Sequence, residues 1–228
     1  VMLNSKNDGQ VFTPAIIVDH MLEMIEYYED NIYSMKIMEP SFGDGAFLTA
    51  IILKIIEEVK NPDEIKKVIQ ENVFGIEKDE YLYQITIQKL TQILHQNNVF
   101  GLNLENNLFC GDTLALYKNF HNQFDIVIGN PPYIQLQNNN GELSNLYEHC
   151  NYHTFTKSGD IYCLFYELGV NMLSPKGVLC YITSDKWMCT GYGKKLKQFL
   201  IDHAFVEKLL DFAGIQLFEN ATVETNIA

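Results

Sequence analysis

The tetrapeptide Asn130-Pro131-Pro132-Tyr133 holds the most specific chemistry in this sequence of 228 residues. Two adjacent prolines remove two backbone donors and stiffen the chain, leaving their carbonyls as fixed acceptors beside the amide oxygen of Asn130. Such a pair suits a planar amine, as on adenine, whose lone pair is delocalised into the ring. Hydrogen bonds from that nitrogen to the Asn130 amide oxygen and the Pro131 carbonyl let it move toward tetrahedral geometry and expose the lone pair to an electrophile. Tyr133 offers a π-face for an extruded base, an interaction of ~1–3 kcal/mol in single-strand binders. The structural alternative is a proline-rich turn with an aromatic packed beside it.

Three further positions sit where an open parallel sheet binds ligands, just past the carboxyl ends of its strands. Glu39-Pro40-Ser41-Phe42-Gly43-Asp44-Gly45 follows the first apolar run, and its glycines let the backbone approach a ligand before a helix opens. A tight turn accounts for that glycine spacing equally well. Glu77 closes the second run, where an acid can accept from both hydroxyls of a ribose; a solvated surface glutamate is the alternative. Asp112 follows the third run and can accept from an adenine amino group, or simply cap a turn. His149, Cys150 and His153 have metal-like spacing but no second ligand group, so no metal is expected. Trp187, the lone tryptophan, reads as packing.

These residues need a scaffold, and hydrophobic periodicity supplies one. Thr13 and Pro14 read as the N-cap and first position of a helix with an apolar stripe at Ile16, Ile17, Met21, Leu22, Met24, Ile25 and Tyr28. Short apolar runs at 35–38, 73–76, 107–110 and 124–128 read as strands, with helices at 46–59, 62–70 and 81–95 between them. That alternation predicts a doubly wound, mostly parallel α/β sheet. Residues 134–159 form a polar, Asn-rich stretch too long for an ordinary connector, hence functional or mobile. A helix at 161–173, a strand at 177–183, a helix at 194–203 and strand-like runs at 205–212 and 222–227 complete the pattern. The last run stops in mid-pattern, so a continuation is expected.

The composition bounds the rest. With 47% hydrophobic residues the chain can bury one core, and one domain over 1–228 is expected. No apolar stretch approaches a membrane span and no secretory leader is visible, so a cytoplasmic protein without membrane partners is expected. Five cysteines without a C-x-x-C pair predict reduced thiols. The 16 basic residues are all lysines against 29 acidic ones, a net charge of −13 that opposes phosphate binding, and the guanine-reading arginine is absent. Lys176, Lys186, Lys194, Lys195, Lys197 and Lys208 form either one phosphate-contacting edge or a solvated face.

Taken together, these residues resemble the N6-adenine DNA methyltransferases of restriction-modification systems, in the class whose cofactor motifs precede the catalytic motif. Val11-Phe12-Thr13-Pro14 is similar to the family's F-T-P segment over the methionine part of S-adenosylmethionine, with Thr13 the contact. Glu39, Ser41, Gly43, Asp44 and Gly45 match the cofactor loop, Glu77 the ribose acid and Asp112 the adenine acid. Asn130-Pro131-Pro132-Tyr133 matches the catalytic tetrapeptide without substitution. Phe218-Glu219-Asn220-Ala221-Thr222-Val223 is a looser match to the segment whose phenylalanine stacks on the flipped adenine, which implies Phe218 as the partner of Tyr133. The resemblance implies a seven-stranded sheet with a reversed terminal hairpin, S-adenosylmethionine as cofactor and double-stranded DNA as partner. Most DNA contacts are expected from a C-terminal recognition domain that residues 1–228 lack, and a nuclease module in the whole protein is a further expectation. A glutamine-amide or RNA-base methyltransferase, and a non-catalytic specificity subunit that keeps the fold, are the competing expectations.

Overall fold

The computed structural model describes residues 13–27, 29–212, 214–215, 217 and 224–228. In chain order its elements are α1 (Ala15–Met24), α2 (Glu29–Ile32), β1 (Ile37–Glu39), α3 (Ala46–Val59), α4 (Pro62–Asn72), β2 (Val73–Glu77), α5 (Glu80–Gln96), β3 (Leu108–Cys110) and α6 (Thr113–Leu116). There follow β4 (Phe124–Gly129), α7 (Asn138–Tyr147), α8 (Tyr162–Met172), β5 (Leu173–Ser184), α9 (Lys186–Cys189), α10 (Gly193–His203), β6 (Leu210–Asp211) and β7 (Thr225–Ile227). The strands form one seven-stranded sheet in the order β3-β2-β1-β4-β5-β7-β6. The first five pair in parallel, and β7 runs antiparallel between β5 and β6. The reversed terminal hairpin is therefore present.

Period-two alternation sorts the strand side chains into two cores, one on each face. Ile37, Ile126, Ile128, Cys180 and Ile182 join the core made with α1, α3, α4 and α5. Their neighbours Met38, Val127 and Tyr181 point the other way, into the core made with α8 and α10. Strands buried on both faces read as near-continuous apolar runs, which is why runs of four or five residues sufficed to mark the first four of them. Around them, α3 buries Phe47, Leu48, Ile51, Ile52, Ile55 and Val59, the spacing of one helical face. α4 starts where Asn61 accepts from the backbone of Asp63 and Glu64 with Pro62 in the first turn, and Asp79 caps α5 the same way through Tyr81 and Leu82.

Three sequence expectations change. Thr13 does not cap α1: Pro14 occupies the cap position without a side-chain bond, and Ile16 on the expected stripe is exposed. The stretch 134–159, expected to be functional or mobile and assigned no element, contains α7, and its flanks are tied, with Leu136 and Ile161 donating to the carbonyls of Gly159 and Ile134. Of the strand expected at 205–212 only β6 forms, since Phe205, Val206 and Leu209 stay exposed outside the ladder. No helix of the described residues is long and apolar enough to cross a membrane. All five cysteines are free thiols.

Candidate active site

The strand order reverses between β1 and β4, the position at which an open α/β sheet places its ligand crevice, outside the carboxyl ends of the strands. Glu39 ends β1 on one side of it, and Asn130 follows β4 on the other. The two sides touch: a β-carbon built on Gly129 would lie 3.6 Å from Cγ of Glu39.

The loop from β1 to α3 is fastened along its length. Phe42 donates its backbone N–H to the Ile76 carbonyl at 3.2 Å, and Gly45 donates to the Phe42 carbonyl at 2.7 Å. Gly43 donates to Oε2 of Glu77 at 2.8 Å, and the other Glu77 oxygen accepts from Asp79 N–H at 2.8 Å. Thr86 and Lys89 of α5 reach across to the carbonyls of Gly43 and Asp44 at 2.9 and 3.0 Å, and Thr113 holds the Pro40 carbonyl. Gly43 and Gly45 adopt φ of +52° and +72°, a conformation that glycine enters without the usual side-chain penalty. Glu39 is buried and accepts from Leu48 N–H at 3.2 Å. Burial pushes its carboxyl well above the ordinary range, helped by Asp44 and Glu77 and opposed by that N–H and by Lys89. Glu77 is raised for the same first reason, its backbone bonds pulling it back.

Asn130 donates its side-chain amide to Oγ1 of buried Thr13 at 3.0 Å, across 117 residues of chain. With Nδ2 used as donor, the acceptor of that amide is Oδ1. Pro131 is buried, and the Tyr133 phenol donates to the Ile182 carbonyl at 3.2 Å with its ring edge-on to Tyr162 at 6.1 Å. Burial raises that phenol far above its usual range, so it stays a donor. Asp160 holds the residue that follows the tetrapeptide, accepting from Ile134 N–H at 3.0 Å. Burial pushes its carboxyl up to about 6.

Asp112 is held rather than open: Lys78 and Tyr147 both donate to its Oδ2, at 2.9 and 2.8 Å, and Leu114 N–H donates to Oδ1 at 3.1 Å. The sequence did not single out Lys78, Thr86, Lys89, Thr113, Tyr147 or Asp160. Only Lys78 and Thr113 lie beside a singled-out residue, Glu77 and Asp112 respectively. Phe218 lies outside the described residues. His153 pairs with Glu167 at 2.9 Å, and Lys195, Lys197 and Lys208 of the lysine edge donate to the carbonyls of Phe155, Met188 and Met24.

Residues 71–218 match the family model described as Eco57I restriction-modification methylase. The chain belongs to this family. The Eco57I-type methylase domain is 31% identical to the type II methyltransferase M.BstVI of Geobacillus stearothermophilus, over 93% of this chain and 40% of that protein. It is 26% identical to M.PaeR7I of Pseudomonas aeruginosa over 94% of this chain and 38% of that protein. It thus spans about two fifths of these relatives. Among solved structures, the type I restriction enzyme EcoKI M protein superposes with a TM-score of 0.74 at 18% identity, over 97% of this chain and 44% of that one. The fold is that of the S-adenosylmethionine-dependent methyltransferases, whose methyl donor is S-adenosylmethionine. The methylase loop fits that group in two respects. The Ser41 hydroxyl is buried and meets no hydrogen-bond partner among the described residues, a costly state that a bound polar group relieves. A β-carbon on Gly43 would meet no atom within 4 Å, so the loop faces open space on that side.

Proposed function

We propose that this domain methylates the exocyclic N6 amine of an adenine in DNA. The observation that carries the reading is the Asn130–Thr13 hydrogen bond, which fixes the amide of the Asn-Pro-Pro-Tyr tetrapeptide against the Thr-Pro segment. The cofactor supplies, when bound, a methyl group made electrophilic by its positive sulfur. Glu39, Ser41, Gly43, Asp44, Gly45 and Thr13 hold its methionine part, Glu77 its ribose through the lone pairs left beside two backbone bonds, and Asp112 its adenine. Asn130 through Oδ1 and Pro131 through its carbonyl accept both hydrogens of the target amine, and Tyr133 stacks on the base, with Phe218 assigned to the opposite face. The amine nitrogen would form the new C–N bond as the methyl's bond to the sulfonium sulfur breaks, leaving S-adenosylhomocysteine, and the extra amine proton would pass to solvent. Positioning and fixed dipoles are the protein's contribution to the rate. A paired amine inside a duplex cannot reach such a pocket, so the target base is taken out of the stack.

Double-stranded DNA is the proposed partner. The net charge of −13 and the absence of arginine support weak DNA binding by residues 1–228 alone, with most phosphate and base contacts made elsewhere in the whole protein. The test offers labelled S-adenosylmethionine with DNA, RNA and protein substrates to the wild type and Asn130→Ala. Label entering DNA as N6-methyladenine, lost in Asn130→Ala while calorimetric binding of S-adenosylhomocysteine persists, supports the reading. Label in RNA or protein alone, or turnover surviving the substitution, overturns it.

A further inference from the structure

We infer that Lys78 and Tyr147 are positioning residues that leave the Asp112 carboxylate one directed acceptor site, and so make the nucleoside pocket selective for an amino-bearing base. This rests on the cofactor reading above. The three residues come from separate parts of the fold: Lys78 directly follows β2, Asp112 lies two residues past β3, and Tyr147 ends α7.

A carboxylate offers about four lone-pair sites. Three donors already reach Asp112, the Lys78 ammonium at 2.9 Å, the Tyr147 phenol at 2.8 Å and the Leu114 N–H at 3.1 Å. One site remains, and the other three bonds fix its direction. A base with an N–H donor on its edge completes the set. A base with a carbonyl at the same place sets lone pair against lone pair and leaves a polar group unsatisfied, which is how polar sites reject an analogue that lacks the expected donor. Without Lys78 and Tyr147 the carboxylate is free to turn, and solvent can satisfy it in either case.

The two donors are suited to the task in different ways. Tyr147 is 2% exposed, so its phenol is held in place by packing rather than by solvent. Burial, with the Asp112 carboxylate beside it, pushes that phenol far above its usual range and keeps its proton on. The Lys78 side chain is 58% exposed, and its ammonium lies 3.5 Å from the Tyr147 oxygen and 6.0 Å from the ring centroid. It ties the phenol and the carboxylate into one unit. Because Tyr147 belongs to the segment that follows the catalytic tetrapeptide, the same contact links that segment to the cofactor side of the crevice.

The test titrates S-adenosylhomocysteine and its deaminated analogue S-inosylhomocysteine by calorimetry into the wild type, Tyr147→Phe, Lys78→Met and Lys78→Arg. The wild type is expected to prefer the adenine compound by on the order of tenfold or more. Tyr147→Phe and Lys78→Met each lower that preference about three- to tenfold, and Lys78→Arg, which keeps a cationic donor, retains most of it. A purely structural role weakens both ligands alike and leaves the ratio unchanged, which overturns the inference. A wild type that binds both compounds equally tightly also overturns it. A wild type that binds neither removes the cofactor reading itself. Lys78 is half-exposed, so its substitution remains informative even if Tyr147→Phe folds poorly.

Discussion

Replacing Gly43 or Gly45 by alanine should have different consequences, although the two sit two residues apart in the same loop. Both have positive φ, +52° and +72°, and an L-residue held there costs roughly 1–2 kcal/mol. At Gly45 the added carbon overlaps Cγ2 of Thr86, and Thr86 cannot turn away without losing its bond to the Gly43 carbonyl, worth about 1 kcal/mol. Gly45→Ala should therefore lose roughly 2–4 kcal/mol of stability. Thr86→Ser in the same chain keeps the hydroxyl, removes the obstructing methyl and should recover the steric part. At Gly43 the added carbon meets nothing within 4 Å, so stability falls only by the conformational cost, about 1–2 kcal/mol. The open space it enters is where the cofactor is proposed to lie, and overpacking there costs about 1–3 kcal/mol, on the order of tenfold in affinity. Urea titration measures the first effect and calorimetric titration of S-adenosylhomocysteine the second. Wild-type affinity in Gly43→Ala would refute the orientation assigned to the loop.

Thr13→Val removes the acceptor that fixes the Asn130 amide and should lower methyl transfer on the order of tenfold, with Thr13→Ser restoring most of it; initial rates on adenine-containing DNA decide. Glu77→Gln leaves one oxygen to serve two backbone donors, and the unsatisfied N–H should cost about 1–3 kcal/mol in urea titrations. Asp160 is raised from 3.8 to about 6, chiefly by burial, with the N–H groups of Tyr162, Ile134 and Ile161 and the Lys186 ammonium opposing. Between those values the folded chain holds a proton that the unfolded chain has released. The contribution is therefore full below pH 3.8 and is lost as pH rises through about 6, a fall of about 3 kcal/mol at 1.36 kcal/mol per pH unit. The stability difference between wild type and Asp160→Asn, followed by urea titration from about pH 4 to about pH 7, should fall accordingly; parallel curves would contradict the assignment.

Much of the scaffold could be read from periodicity because the central strands are buried on both faces and read as short, mostly apolar runs. α3 runs over the expected 46–59, where an apolar face coincides with a glycine before it and a Pro-containing turn after it. α7 escaped notice because its sequence, NNNGELSNLY, has almost no apolar face; Ser144 donates to the Leu136 carbonyl and Tyr147 reaches Asp112, so tertiary contacts hold it. Thr13 was misread as a cap since its local sequence has the right form, while its actual partner, Asn130, lies 117 residues away. The strand-end residues Glu39, Glu77, Asp112 and Asn130 were legible because topology alone assigns strand ends to the crevice. Thr86, Lys89 and Tyr147 were not, because a donor reaching in from a helix leaves no mark in its own neighbourhood.

The many fastenings of the loop between β1 and α3 have a kinetic consequence. Its backbone is gripped by Ile76, Glu77, Thr86, Lys89 and Thr113 before any ligand arrives, so its ordering entropy is settled when the chain folds. The cofactor proposed to bind there would meet a surface already in its final shape, so its capture is expected to proceed without a slow ordering step. On the proposed function, any slow rearrangement in turnover is then expected on the polynucleotide side, as a base leaves its stack, and not in the arrival of the methyl donor.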